Sequence, residues 1–233
     1  MCWRAPGKWV AGPTIVADSK PFMSPRTRTT SNVADATLTF EEGTIRVETD
    51  AALDLPDTET DARSKTRRAP GFRYASLRET LDRRGVSYDD SVLDAPDLPD
   101  VASTYELRAY QRDALDAWQD ANRRGVLELP TGSGKTVIGL KAIEDLQTAT
   151  LVVVPTIDLL EQWRDELESE FGVPVGQLGG GEQTVEPLTV STYDSAYLRA
   201  DELGDRFGLV VFDEVHHLGG EGYRDIARPL AAP

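Results

Sequence analysis

Leu129-Pro-Thr-Gly-Ser-Gly-Lys-Thr136 and Val210-Val-Phe-Asp-Glu-Val-His-His217 decide how this chain folds. The first sets a glycine turn between a short apolar strand, Val126 to Leu129, and a helical stretch, Thr136 to Leu146. Glycines after a strand let backbone N–H groups point inward at phosphate oxygens, and the helix that follows adds its positive end. Lys135 suits the β and γ phosphates of a nucleoside triphosphate, and the Thr136 hydroxyl suits Mg²⁺. Thr131, Gly132, Ser133 and Gly134 complete the phosphate-binding set. The full P-loop spacing asks for a glycine where Leu129 stands, so the general pattern is met only in part. The second stretch is an apolar strand, Leu209 to Phe212, ending in two carboxylates. Ligands of open α/β sheets bind at such strand ends. Asp213 is expected to hold Mg²⁺ with Thr136, and Glu214 to orient and deprotonate the attacking water. Two acids after a strand are by themselves most often a solvated turn; the glycine turn upstream reverses that judgement. The expected catalytic set is Lys135, Asp213, Glu214 and His216, the histidine as a polar coupling group beside the phosphates. His216 and His217 are adjacent and expected to point apart, which argues against a two-histidine metal site.

Working outward, strands and helices alternate. Leu107, Tyr110, Ala114, Leu115, Trp118 and Ala121 recur at helical spacing, with Gly125 as the stop. Ala149 to Val154 reads as a buried strand. Leu159, Leu160, Trp163, Leu167 and Phe171 mark one face of a helix closed by Gly172. Val175 to Leu178 and Leu188 to Ser191 read as strands around Gly179-Gly180-Gly181. This alternation predicts an α/β fold with a parallel sheet and right-handed crossovers.

Upstream the pattern is weaker. Ala36 to Phe40 and Thr44 to Glu48 alternate around Glu42-Gly43, a hairpin signal. Leu53 to Arg68 reads as an acidic loop, Tyr74 to Gly85 as a short helix, and Asp94 to Thr104, with Pro96 and Pro99, as a linker. Residues 1 to 33 mix Pro, Ser, Thr, Lys and Arg without period, and Ser24 to Ser31 reads as disordered. This segment is expected to be either a tail or an upstream extension from a mis-assigned start, with Met23 the alternative. The expected organisation is therefore a tail over 1–33, a small α/β domain over 34–100 and a larger lobe over 101–233.

Acids outnumber bases 40 to 25, for a formal charge of −15 over 233 residues. Such a surface repels nucleic-acid phosphate. The acids spread along the whole chain and form no tail, and the lysines are few (Lys8, Lys20, Lys65, Lys135, Lys141). That is the surface expected of a protein adapted to high salt, where a short screening length weakens the repulsion. Cys2 is the only cysteine, so no disulfide framework exists. No apolar run is long enough to span a membrane, and no signal peptide is evident, so the cytoplasm is the expected compartment.

Weaker candidates follow. Gln111 has an amide able to read adenine, or is a surface glutamine. Pro155-Thr156 and Ser191-Thr192 follow strands, where hydroxyls and free N–H groups suit contacts to a nucleic-acid backbone or serve as helix N-caps. Trp163 reads as core rather than a base-stacking platform. Arg67, Arg68, Arg73 and Arg78, near Phe72 and Tyr74, form the most DNA-like stretch, or a solvated face.

As a set, these stretches resemble the superfamily 2 helicases over about 105 to 227. Thr131 to Thr136 is similar to motif I, Asp213 to His217 to motif II, Val153-Val-Pro-Thr156 to motif Ia, Val190-Ser-Thr-Tyr-Asp-Ser-Ala196 to motif Ib, and Leu107-Arg-Ala-Tyr-Gln111 to the adenine-reading motif. Within that superfamily the chain resembles the XPB-type (xeroderma pigmentosum group B) repair helicases in their archaeal form, on Arg124-Gly-Val126, Gly179-Gly-Gly181 and Glu221-Gly-Tyr-Arg224. Arg68-Ala-Pro-Gly-Phe-Arg-Tyr74 and Ser91-Val-Leu-Asp-Ala-Pro96 resemble the small damage-recognition-type domain before that motor. The resemblance implies a RecA-like first lobe, ATP and Mg²⁺ as cofactors, and DNA as partner, with a repair nuclease or a chain carrying the second lobe beside it. It implies phosphate-backbone contacts for Pro155, Thr156, Ser191 and Thr192. The family's Ser/Thr-Ala-Thr motif III, second lobe and arginine finger are not found before Pro233, so a fragment or interrupted gene is expected. The rival expectations are a non-catalytic ATP- or DNA-binding module and another superfamily 2 translocase, of restriction or remodelling type.

Overall fold

A computed structural model describes residues 2–4, 34–49, 55, 57–61, 63–64, 66–219 and 225–232. Among these the chain builds two sheets. Strand β1 (Cys2–Arg4) has its partners more than a hundred residues downstream. The smaller sheet is built from β2 (Ala36–Glu41), β3 (Thr44–Thr49), β4 (Glu59–Thr60), β5 (Arg67–Pro70) and β6 (Tyr88–Ser91), in the order β4-β5-β3-β2-β6. The expected hairpin is there, with Glu41 opposite Thr44. Its two turn residues, Glu42 (φ 48°) and Gly43 (φ 74°), are both left-handed, as a two-residue turn matched to strand twist requires. Ala36, Leu38, Ile45 and Val47 alternate inward against α1 (Tyr74–Arg84), which buries Tyr74, Leu77 and Leu81 and ends at left-handed Gly85. Each such fully buried aliphatic side chain contributes about 2 kcal/mol.

The stretch expected as a loop over Leu53 to Arg68 carries β4 and the start of β5. Its side chains lack strand alternation, but its backbone pairs with β3 (Arg46 opposite Arg68). Arg68 pairs with Glu41 and Asp61, Arg73 with Asp57 and Arg78 with Asp90, while Arg67 donates to Thr58 Oγ1 at 3.0 Å. The cluster read as the most DNA-like stretch is thus engaged within the small sheet.

The larger sheet adds β7 (Val126–Glu128), β8 (Thr150–Val154), β9 (Val175–Gly179), β10 (Glu182–Gln183), β11 (Leu188–Thr192) and β12 (Leu209–Phe212), in the order β10-β9-β11-β8-β12-β1-β7. All pairs are parallel except β10 with β9. Helices α2 (Ala109–Asp120), α3 (Lys135–Leu146), α4 (Ile157–Phe171), α5 (Tyr193–Leu198) and α6 (Ala200–Leu203) complete it. Strands β8, β9, β11 and β12 are buried along their whole length, as parallel strands covered on both faces must be. Helix α2 stops short of Gly125 because Asn122 (φ 53°) and Arg123 (φ 61°) turn left-handed. Cys2–Arg4, expected within a tail, is a strand between β12 and β7. The readings of Ser24 to Ser31, Met23 and Glu221 to Arg224 lie outside the described residues.

The two sheets meet along a seam of backbone. A Cβ on Gly71 would stand 2.0 Å from the Pro229 carbonyl oxygen, one on Gly43 2.4 Å from Asp201 Oδ1, and one on Gly204 2.2 Å from the Phe40 ring. The Phe72 amide donates to Arg228 O at 3.2 Å and the Asp94 amide to Asp205 O at 2.9 Å. Arg124, at the entry to β7, donates to Phe72 O at 3.4 Å and Ala232 O at 2.9 Å. Burial pulls its guanidinium pKa below the ordinary arginine value, with Glu79 opposing the shift.

Candidate nucleotide-binding site

Because β7, β12, β8 and β11 run parallel, the segments that leave their C-terminal ends share one edge of the sheet. These segments are the glycine turn 129–134, Asp213-Glu214, Pro155-Thr156 and Thr192. With β1 between them, β7 and β12 lie about 10 Å apart, two strand spacings.

The glycine turn is held from below. The Ser133 amide donates to Pro130 O at 3.2 Å, and Gly132 (φ 75°) and Gly134 (φ 74°) both take left-handed backbone. Lys135 then opens α3 directly. Beyond Gly132 the space is open, and Ser133 Oγ is buried with no hydrogen-bond partner among the described residues. An orphaned hydroxyl under a glycine turn at a helix start suits a phosphate oxygen, and Lys135 makes no ion pair among the described residues. The residues present therefore fit a magnesium-bound triphosphate: Gly132 to Thr136 for the phosphates, and Thr136 with Asp213 for the ion.

Gln111 stands beneath this turn. Its side chain is only 4% exposed, its Nε2 donates to Ser133 O at 2.9 Å and Gly134 O at 3.2 Å, and its Oε1 accepts from the Arg108 amide at 2.8 Å. Tyr110 Oη donates to the same Ser133 carbonyl at 2.8 Å. Here the amide expected to read adenine bonds the carbonyls of the glycine turn, and a Cβ on Gly134 would strike it at 2.6 Å. Gln111→Ala is therefore expected to weaken ATP and inorganic triphosphate by the same factor, about tenfold for two buried hydrogen bonds. Competition binding checks this; a loss confined to adenine nucleotides would restore base reading.

Asp213 is 8% exposed, and each of its carboxylate oxygens accepts one hydrogen bond. Oδ2 accepts from Trp163 Nε1 at 2.9 Å and Oδ1 from the Glu214 amide at 2.9 Å. Its backbone N–H continues the ladder to Val153 O at 2.8 Å, and its carbonyl accepts from Tyr193 Oη at 3.0 Å. Glu214 sits at φ 49°, a strained value for a non-glycine residue and one met often at functional sites. His216 Nδ1 lies 3.3 Å from Glu214 Oε2. The histidine rings, expected to point apart, lie against each other with centroids 4.3 Å apart, because a tight 3₁₀ turn over Val215–Gly219 carries both.

The four DNA-contact candidates separate. Thr156 is exposed and caps α4, accepting the Leu159 amide at 3.3 Å, with Pro155 half-buried before it. Thr192 caps α5, accepts the Ser195 amide at 3.3 Å and is nearly buried. Ser191 is fully buried and donates to Thr192 O at 3.0 Å. Its hydroxyl is thus engaged within the fold, unlike that of Thr156. Trp163, Tyr193 and Tyr110 were not expected at the site. The sequence did hold a signal for the first: a tryptophan on a buried helix face needs an acceptor for its N–H.

A glycine turn at a helix start beside a buried, hydrogen-bonded carboxylate on parallel strand ends defines a P-loop nucleotide-binding lobe. The family model described as "Type III restriction enzyme, res subunit" matches residues 104–233, more than half the chain, and the chain belongs to that family, among the XPB-type superfamily 2 helicases. The model described as "Xeroderma pigmentosum group B helicase damage recognition domain" matches residues 38–92. The chain is 43% identical over 165 residues to the DNA 3'-5' translocase XPB2 of Sulfurisphaera tokodaii, covering 71% of this chain and 37% of that one. It is 41% identical to the putative DNA 3'-5' helicase Rad25 of Halobacterium salinarum, over 63% of this chain and 26% of that protein. It is 34% identical to the DNA 3'-5' helicase XPB of Mycobacterium tuberculosis, over 52% and 24%. The chain thus matches between 24% and 37% of the length of these relatives.

Proposed function

We propose that these residues form the Mg-ATP-binding lobe of an ATP-driven DNA translocase that serves repair or transcription. The observation that carries the reading is the meeting at one sheet edge of a glycine turn, whose Ser133 hydroxyl and Lys135 ammonium have no partner among the described residues, and the buried Asp213 carboxylate. Thr136 and Asp213 would hold magnesium, which would supply charge neutralisation to the triphosphate. Lys135 would meet the phosphate oxygens, and Glu214 would take the proton of the water that attacks the terminal phosphorus as its bond to the ADP oxygen breaks, with His216 orienting that carboxylate. Pro155 and Thr156 are the proposed contact to one DNA strand, with the α5 cap at Thr192 beside them. Turnover is proposed for an assembly that includes a second lobe, from a longer product or a separate chain; a repair nuclease is a proposed companion. The acid-rich surface supports work at high salt, and the proposed compartment is the cytoplasm. No helix among the described residues is long and apolar enough to cross a membrane.

The rival reading, a restriction or remodelling motor, predicts that the small sheet is dispensable. The match of residues 38–92 supports the XPB-type reading instead. The test is nucleotide binding and ATP turnover by the purified chain in high-salt buffer, with and without forked DNA. Mg-dependent ATP binding is expected, and no binding at any salt concentration would sink the proposal. DNA binding left intact after deletion of residues 34–100 would favour the rival.

A further inference from the structure

Asp213 is gripped from two helices. Trp163, on the buried face of α4, places its indole N–H on Oδ2 at 2.9 Å; Tyr193, the first residue of α5, places its hydroxyl on the Asp213 carbonyl at 3.0 Å. We propose that Trp163 is a positioning residue for the magnesium-binding carboxylate, fixing which of its lone pairs faces the ion. The proposal rests on the reading that Asp213 holds Mg²⁺.

Three observations carry it. The bond is not an accident of burying an indole, because Trp118, just as buried, leaves its Nε1 without a partner among the described residues. A carboxylate offers about four acceptor sites, and here the indole takes one on Oδ2 and the Glu214 amide one on Oδ1. One site on each oxygen remains, and the carboxyl plane can no longer rotate. Finally, the donor is neutral. A lysine or arginine in its place would cancel the charge that a cation requires, whereas an indole satisfies the buried oxygen and leaves that charge in place. Tyr193 holds the backbone of the same residue, so carboxylate and main chain are fixed from separate helices.

Trp163→Phe keeps an aromatic ring in the core and removes the N–H donor along with part of the buried volume. Nucleotide affinity measured with Mg²⁺ is expected to fall about tenfold, the size of effect typical for a partner of a metal ligand, while affinity in EDTA stays unchanged. Unchanged affinity with Mg²⁺, or an equal fall with and without it, overturns the proposal. If the wild-type chain itself shows no Mg-dependent binding, the reading of the site fails first and takes the proposal with it. Should the phenylalanine variant not fold, the wild-type protein labelled with ¹⁵N-tryptophan decides. Of its four indole signals, one must move when Mg²⁺ and ADP are added and stay fixed in Asp213→Ala; no moving signal overturns the assignment.

Discussion

Lys135→Ala is expected to weaken Mg-ATP binding by about a hundredfold while leaving the thermal midpoint nearly unchanged. Lys135 opens α3, half-exposed, at the end of a turn already shaped by Gly132, Gly134 and the bonds from Gln111 and Tyr110. Alanine is the better helix former, so the helix start survives. What is lost is the one lysine among the described residues that stands at the glycine turn, in a chain of net charge −15 that otherwise repels a triphosphate. Removing a cation from a charge-assisted pair costs about 3 kcal/mol, roughly a hundredfold in affinity. Isothermal titration in Mg²⁺ buffer reads this directly. An affinity within threefold of wild type would mean that the triphosphate does not sit on this turn.

The second large effect concerns stability. Gly71→Ala places a methyl 2.0 Å from the Pro229 carbonyl oxygen, and both partners are backbone, so neither can swing away as a side chain would. The seam has to open locally, breaking the neighbouring Phe72-to-Arg228 bond and loosening Arg124 from Phe72 O. Overpacking of this kind costs about 1–3 kcal/mol. Gly85→Ala makes a scale for comparison: its position is left-handed at φ 69° but faces open space, so only the backbone conformation is penalised, by about 1 kcal/mol. Denaturant unfolding should rank Gly71→Ala well below Gly85→Ala. The reverse order would mean that the two sheets do not meet at this glycine.

The central lobe was legible because its strands are apolar from end to end and its helices keep their period. Thr150–Val154 and Ile157–Phe171 came within two residues of expectation for that reason. The glycine turn and Asp213-Glu214 were legible in position, since each follows an apolar strand that the sequence marks. What stayed hidden depends on contact. Periodicity puts Trp163 on a buried face but cannot say that its edge meets a carboxylate fifty residues away. Gln111 is recognisable by its motif, whereas the direction of its amide depends on how closely α2 approaches the turn. Strand β1 has too few residues for any pattern, and β4 and β5 pair through backbone that side-chain alternation does not report. Ser191 shows the same limit in reverse: a hydroxyl at a strand end invites a ligand until packing closes over it.

The arginines of the small sheet carry a consequence for nucleic-acid binding. A protein gains DNA affinity from low salt when its free cations displace ions condensed on the phosphates, and the gain scales with the number displaced. Here Arg68, Arg73 and Arg78 already face Glu41, Asp61, Asp57 and Asp90. A DNA strand at the proposed contact with Pro155 and Thr156 would meet hydroxyls, amides and a helix start. Its affinity is therefore expected to fall only gently with KCl, with a slope in log–log terms of about one or two ions rather than the six to ten of a cation-rich binder. A steep slope in a fluorescence-anisotropy titration would show that these ion pairs open to receive DNA. A shallow one would describe a protein whose grip on DNA tolerates concentrated salt, because little of that grip comes from counterion release.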